Sequence, residues 1–286
     1  MSNSRIDHHT PHYSDALGNF GPAYHLELIR DAERVNRICA ALDESLRPDG
    51  IHCELGTGTG IFAIYAAQRC RKVYAVEQDP EILQMARANI ERAGLTDKIE
   101  LIRADALTFH PPERVDTLLV EMMSIWCITE PQIRMLNHAT QHILKDGGRP
   151  IPSRIVNTFE LGHYDFTVLG VHCPASIPLF SGIPQPRIMT TSQVFNTFDL
   201  SRQNPEEIRH SVEVPALLSG TVNCARLSSL VQMSENVTFY STDSLMPLTL
   251  VPLNELKVQA GDSLRFTAAF QTRTSLEEGE FKIERL

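Results

Sequence analysis

The chain has 286 residues, of which 42% are hydrophobic and 21% charged, and a formal net charge of −9. This is the composition of a soluble globular protein with room for one large domain or two modest ones. No run approaches the ~18 apolar residues of a membrane span. The polar start, Met1 to Asp7, has no apolar export leader, and the dispersed Lys and Arg residues argue against nucleic acid as the main partner. An acidic chain of this kind suits a cationic or neutral partner, and the missing leader and scattered cysteines are read as those of a cytoplasmic protein.

Near the N-terminus, His8, His9 and His12 lack the cysteine or carboxylate pattern of a metal site and read as a solvated leader. Leu26, Ile29, Val35, Ile38 and Leu42 recur at roughly helical spacing, and Arg47-Pro48-Asp49-Gly50 supplies turn chemistry that ends the pattern. From 51 to about 152, strand and helix signals alternate. Residues 51–55, 73–76, 99–102 and 117–120 read as strands. Residues 61–69 and 81–93 read as helices, the second opened by Pro80 and ended by Gly94, and a further helix runs from Pro131 to about Leu144, before Asp146-Gly147-Gly148. Such alternation predicts a parallel sheet covered on both faces.

After Pro150 and Pro152 the helical period fades. Residues 155–161, 220–233, 237–240 and 263–270 are β-rich, and Pro174, Pro178, Pro184 and Pro186 mark a long irregular excursion. An antiparallel barrel or sandwich is predicted there. The six cysteines (Cys39, Cys53, Cys70, Cys127, Cys173 and Cys224) show no C-x-x-C spacing and read as reduced thiols.

The segment Glu54-Leu55-Gly56-Thr57-Gly58-Thr59-Gly60 joins the first strand to a helix. A dinucleotide fingerprint would need glycine at 61, where this chain has Ile61. The tighter spacing suits a nucleoside without a pyrophosphate, lying close to backbone that a Cβ would obstruct. Glu77 ends the next strand, where a carboxylate can accept hydrogen bonds from ribose hydroxyls. Asp105 follows the third strand, in position to meet an adenine amino group. Loop, first acid and second acid in this order point to S-adenosylmethionine.

Beyond the fourth strand lies Glu121-Met122-Met123-Ser124-Ile125-Trp126-Cys127-Ile128-Thr129-Glu130. If this segment doubles back, its two glutamates converge at the carboxyl end of a parallel strand, where open α/β sheets bind ligands. Two carboxylates form a fork for a planar guanidinium. Gripping it can localise charge on some nitrogens and leave lone-pair density on another, which would make a poor nucleophile serviceable. Trp126 has two readings: a face stacked on a cationic substrate, or an anchor for the loop.

On these residues the chain resembles the protein arginine methyltransferase family. His25-Leu26-Glu27-Leu28-Ile29-Arg30-Asp31-Ala32-Glu33-Arg34 is similar to the family's H-x-x-M-L-x-D-x-x-R helix, with Leu28 in place of methionine. Glu121-Met122-Met123 is similar to the E-W-M that opens the family's double-glutamate loop, and Glu130 falls on the second glutamate. The resemblance implies that the first helix folds over the cofactor, that Arg34 pairs with the cofactor's methionine carboxylate and that His25 lies near it. It also implies a C-terminal barrel. A T-H-W motif is expected near Ser244-Leu245-Met246-Pro247 and is absent there, and residues 163–190 look like a shortened or altered dimerisation arm.

The resulting expectation is an α/β protein: a Rossmann-like class I methyltransferase domain, preceded by N-terminal helices and followed by an antiparallel β-barrel domain. Residues 1–47 would cover the cofactor, 48–152 bind S-adenosylmethionine, and 153–286 serve substrate binding or oligomerisation, with a homodimer as one outcome. Glu121 and Glu130 would be catalytic. His25, Arg34, Gly56, Gly58, Gly60, Glu77 and Asp105 would hold the cofactor, and no metal is expected. The acceptor would be a guanidino nitrogen of free arginine-like small molecules or of arginine in a peptide or protein, with a slight lean to the former. The alternatives are a small-molecule N- or O-methyltransferase acting on another amine or hydroxyl, and a non-catalytic cofactor-binding regulator.

Overall fold

A computed structural model describes residues 25, 28–241 and 246–286. His8, His9, His12, Leu26, Ser244 and Leu245 lie outside the described residues.

Five strands, β1 (Ile51–Leu55), β2 (Lys72–Glu77), β3 (Ile99–Arg103), β4 (Val115–Val120) and β5 (Leu144–Ile151), form a sheet in the order β3-β2-β1-β4-β5. Every neighbouring pair is parallel. β1 is buried at all five positions, as befits a central strand between two helical layers. The strand order reverses between β1 and β4, so the loops leaving their carboxyl ends face one crevice.

Helices α1 (Ala32–Ser45), α2 (Ile61–Ala67), α3 (Pro80–Ala93) and α4 (Gln132–His142) accompany the sheet. Capping sets the bounds of α3: the Asp79 carboxylate accepts from the Glu81 and Ile82 N–H groups, Pro80 takes the first turn, and Gly94 closes the helix at φ 67°. The segment read as one helix through His25 and Arg34 is instead divided. Leu28 is helical and Ile29-Arg30 turn. Asp31 then caps α1 by accepting the Arg34 N–H at 3.1 Å. The aspartate of the D-x-x-R pattern is therefore an N-cap, and its bond fixes the turn from which Arg34 projects.

β5 was not anticipated. The sequence reading ran α4 into a turn at Asp146-Gly147-Gly148, but Leu144 already pairs with Val115. The chain then makes an irregular excursion with Gly147 at φ 71°, and Arg149, Pro150 and Ile151 re-pair with Thr117, Leu118 and Leu119. A turn signal inside an interrupted edge strand hid the strand.

From Arg154 onward the described chain is almost entirely antiparallel β. Strands Arg154–His163, Gly220–Gln232 and Thr249–Val258 form the spine of a seven-stranded sheet, and Gln193–Asp199 pairs along Arg154–His163. Glu207–Pro215, Ser263–Gln271 and Glu280–Arg285 make a second sheet. Several of these strands, among them Gln193–Asp199 and Glu207–Pro215, alternate buried with exposed residues too weakly to stand out in the sequence. In the proline-rich excursion, Thr167–Val168 and Val171–His172 pair as a hairpin whose tip, Leu169, is fully exposed. One cluster of buried side chains runs from Ile38 and Leu42 of α1, through the parallel sheet and Trp126, to Phe159, Phe195 and Phe266 of the antiparallel sheets. Glu44 of α1 also accepts hydrogen bonds from the Ser234 hydroxyl and the Asn236 N–H.

Gly94 sits at a positive φ with nothing within 4 Å of an added Cβ, so Gly94→Ala meets only backbone strain. The change is expected to cost about 1 kcal/mol in urea unfolding and to leave catalysis untouched.

Candidate active site

The glycine loop hangs from β2. Val76 C=O accepts the N–H groups of Gly56 and Thr57, both at 2.9 Å. Gly56, Gly58 and Gly60 have φ of 74°, 55° and 78°, a region that costs any residue with a Cβ. A Cβ on Gly56 would collide with the Met122 methyl, and one on Gly58 would lie 2.9 Å from His25 Nδ1. The missing side chains at Gly56 and Gly58 therefore let Met122 and the His25 ring pack directly on the loop backbone.

Glu77, at the end of β2, accepts the Gly58 N–H on Oε2 at 3.0 Å, and the N–H groups of Gln78 and Asp79 on Oε1. The acid thus braces the glycine loop, and Oε2, with one bond accepted, keeps lone-pair capacity. Asp105 is exposed, and its carboxylate accepts the Leu107 N–H at 2.9 Å.

After β4 the chain folds back as the sequence suggested, and three groups hold it there. Gln132, fully buried at the start of α4, accepts the Met122 N–H and donates to Val120 C=O, both at 2.8 Å, so the two bonds straddle Glu121. The Ser124 hydroxyl accepts the N–H groups of Thr129 and Glu130 at 2.9 and 3.1 Å. Trp126 and Cys127 both stand at φ 57°, a conformation costing roughly 1–3 kcal/mol for each non-glycine residue. Trp126 is fully buried and stacks on Phe195 with ring centres 4.5 Å apart. The loop-anchor reading of Trp126 therefore holds, and the substrate-stacking reading does not.

His25, Arg34, Gly56, Gly58, Glu121 and Glu130 line one pocket of about 670 Å³, which includes its open mouth. Gly60, Glu77 and Asp105 support it or stand apart and are absent from its lining. Glu54, Thr57 and Phe62 also line it, and sequence reasoning gave them no role. The order Glu54-Leu55-Gly56 could have flagged Glu54, a carboxylate on a fully buried strand. Gln132 and Ser124 carried no comparable signal, because their work is to hold backbone. Outside the pocket, His110, His138 and His142 cluster with ring centres 4.8–5.3 Å apart. Among the described residues no group of three His, Cys, Asp or Glu side chains is arranged to hold a metal ion. None of the six cysteines forms a disulfide.

The charges inside the pocket are unusual. Arg34 is 5% exposed, and its Nη2 forms a short ion pair with the Glu121 carboxylate. Arg34 Nη1 donates to Leu28 C=O at 3.3 Å, while its buried Nε has no partner among the described residues. Glu130 keeps some solvent contact, yet protein atoms crowd its carboxyl. Burial first, and Glu121 second, push its pKa up to about 8, against the pull of Arg34. Burial likewise raises Glu54 to about 8, although the Thr57 hydroxyl donates to it at 2.9 Å.

A carboxyl raised in this way contributes stability that is complete below its ordinary pKa of 4.5 and is lost as pH climbs through about 8. Glu130→Gln removes that titration. Calorimetric melts of the ligand-free protein between pH 5 and 8 are expected to show a stability that declines less with pH in the variant than in the parent. Parallel curves would contradict a raised Glu130.

Residues 53–148 match the family described as a methyltransferase domain. An uncharacterized protein of Methanocaldococcus jannaschii is 27% identical over 241 residues, covering 84% of this chain and 89% of that protein. The arginine N(omega)-methyltransferase of Streptomyces achromogenes subsp. streptozoticus is 24% identical over 269 residues, covering 85% and 74%. Protein arginine N-methyltransferase 1 of Saccharomyces cerevisiae is 27% identical over 154 residues, covering 53% of this chain and 44% of the yeast enzyme. In fold, the chain is similar to the Trypanosoma brucei PRMT1 enzyme-prozyme heterotetrameric complex with AdoHcy, at a TM-score of 0.74 and 17% identity over 96% of this chain and 99% of that one. With its parallel sheet, its antiparallel β half and these relatives, the chain is a class I S-adenosylmethionine-dependent methyltransferase of protein arginine methyltransferase-like type.

Proposed function

We propose that the methyl acceptor is a guanidino nitrogen, carried by a free arginine-like small molecule or by an arginine in a peptide or protein. The observation that carries this reading is the Arg34–Glu121 pair: the pocket already accommodates one guanidinium against Glu121, with Glu130 beside it. Carboxylates suit a cation of this shape, since its planar donors match their oxygens and it keeps its proton in water.

The pocket also suits the cofactor. Gly56 and Gly58 bring bare backbone to the pocket lining, and the buried Nε of Arg34, without a hydrogen-bond partner among the described residues, is a donor suited to an anionic group such as the methionine carboxylate. Glu77 and Asp105 would take the ribose hydroxyls and the adenine amino group, Gly60 would complete the turn, and His25 would close the mouth. When bound, S-adenosylmethionine supplies an electrophilic methyl group on a sulfonium. In this scheme residues 1–47 cover the cofactor, 48–152 bind it and 153–286 frame the acceptor. The exposed tip Val168-Leu169-Gly170-Val171 would suit self-association into a homodimer.

Glu121 and Glu130 would hold the acceptor so that one nitrogen faces the methyl group. Such positioning can contribute ~7–11 kcal/mol. Methylation of a guanidinium nitrogen displaces one proton, and a carboxyl tuned near neutrality is suited to receive it.

Glu130→Gln is expected to lower kcat by ~10²–10³-fold while calorimetry shows cofactor binding intact; unaltered turnover would remove the pair from the mechanism. A second check is the pH profile. Because Glu130 must be ionised to grip a guanidinium, kcat/KM for a guanidino acceptor should rise with pH and level off near pH 8. A flat profile from pH 6 to 9 would contradict this assignment.

A further inference from the structure

We propose that Trp126 is a positioning residue for the two glutamates: by seating itself in the antiparallel β half it locks the loop between them into the one backbone path that presents both carboxylates to the pocket. The inference rests on the proposed role of Glu121 and Glu130 and goes beyond it, because Trp126 touches neither acceptor nor cofactor space and is absent from the pocket lining.

Trp126 is fully buried and stands with Cys127 in the left-handed region at φ 57°, a pairing that isolated backbone avoids. Something must hold it there, and the surroundings supply three independent grips. The indole stacks on Phe195 and lies 6.4 and 5.9 Å, centre to centre, from Phe266 and Phe270. Its ring N–H is shared between Thr158 C=O at 3.0 Å and Ser228 C=O at 3.1 Å, on two adjacent strands. Its backbone is claimed at both ends: the N–H donates to the Ser229 hydroxyl at 3.2 Å, and the C=O accepts from Asn157 Nδ2 at 3.3 Å. Ser229 in turn donates to Asn157 Oδ1 at 2.9 Å, which closes a buried polar ring around the residue.

The path from Trp126 to the glutamates is short and covalent on one side. Cys127 N–H donates to Ser124 C=O, and the Ser124 hydroxyl receives the Glu130 N–H. Ile128 C=O accepts the N–H groups of Arg273 and Thr274, a further hold from the β half. The backbone of Glu130 is thus set by Ser124, and Ser124 by the turn that Trp126 stabilises. A loop free to relax at 126–127 would lose that turn, and the second carboxylate would drift from the first.

The test compares Trp126→Ala, Trp126→Phe and Ser229→Ala in the 286-residue chain, using labelled S-adenosylmethionine and a guanidino acceptor. Trp126→Ala is expected to lose roughly 10²-fold in kcat/KM for the acceptor, the scale of a small misplacement of reacting groups, with cofactor affinity by calorimetry unchanged. Trp126→Phe keeps the stack and should recover much of the loss. Ser229→Ala, which is remote from the pocket and deletes the acceptor for the Trp126 N–H together with the donor to Asn157 Oδ1, should show the same signature in milder form, and it keeps the idea testable if Trp126→Ala does not fold. The acid limb of the kcat/KM profile should move down in pH as the loosened loop admits water to Glu130. Parental acceptor kinetics and an unmoved limb in folded Trp126→Ala, or in Ser229→Ala where Trp126→Ala does not fold, would overturn the inference, as would cofactor affinity falling in step with turnover. Glu130→Gln run alongside separates the two ideas: if it too turns over normally, the glutamate assignment has failed, whereas if it is inactive beside parental Trp126 and Ser229 variants, only the positioning role has failed.

Discussion

A guanidinium held by a buried carboxylate is the interaction on which the rest of this site depends. Two glutamates in one pocket repel each other and lose hydration, and neither cost is tolerable without a cation or a proton. The structure uses both. Arg34, carried in by α1, neutralises Glu121, and Glu130 is held toward its protonated form by burial and by its neighbour. Before any ligand arrives, the pocket is therefore electrically close to balanced. A cationic acceptor would replace the proton on Glu130, and an anionic group meeting Arg34 Nε would engage the cation from its other side. The buried pair is weak evidence for stability; on the proposed reading its value lies in selecting what binds.

The geometry that brings these charges together follows from sheet topology. β1 and β4 are neighbours although α2, β2, α3 and β3 separate them in the chain. That adjacency sets the glycine loop beside the glutamate loop, so Gly56 must lack a side chain for Met122 to pass. The glutamate loop cannot hold its shape alone, with two consecutive residues in the left-handed region. It is held by Gln132 at its base, Ser124 across its middle and Trp126 in the antiparallel half. Within the described residues, the β half is thus structurally continuous with the site.

Much of this was legible in the sequence where local chemistry decides. Pro80 and Gly94 bounded a helix by their turn and capping chemistry. The three glycines announced positive φ, and the glutamate spacing announced a returning loop. β5 was not legible, because its interrupted pairing wears the glycines of a turn. The break before Asp31 was hidden for a related reason: helical residues on both sides of an N-cap look continuous until the cap's bond to Arg34 is seen. Long-range polar contacts were the least accessible. Nothing local to Gln132 reveals that it bridges residues 120 and 122, and nothing around Arg34 predicts its pairing with Glu121, 87 residues away. Trp126 left two readings open because a tryptophan near carboxylates serves either use, and only its burial against Phe195 decides between them.

The most direct measurement is a methyl-acceptor profile: the purified chain with labelled S-adenosylmethionine, offered free arginine and other guanidino compounds, arginine-containing peptides, and matched amines and hydroxyl compounds. The account predicts label on guanidino nitrogen, with the choice between free and peptide-borne arginine reporting how much room the pocket leaves beside Glu130. Label only on amines or hydroxyls, with none on any guanidine, would contradict it.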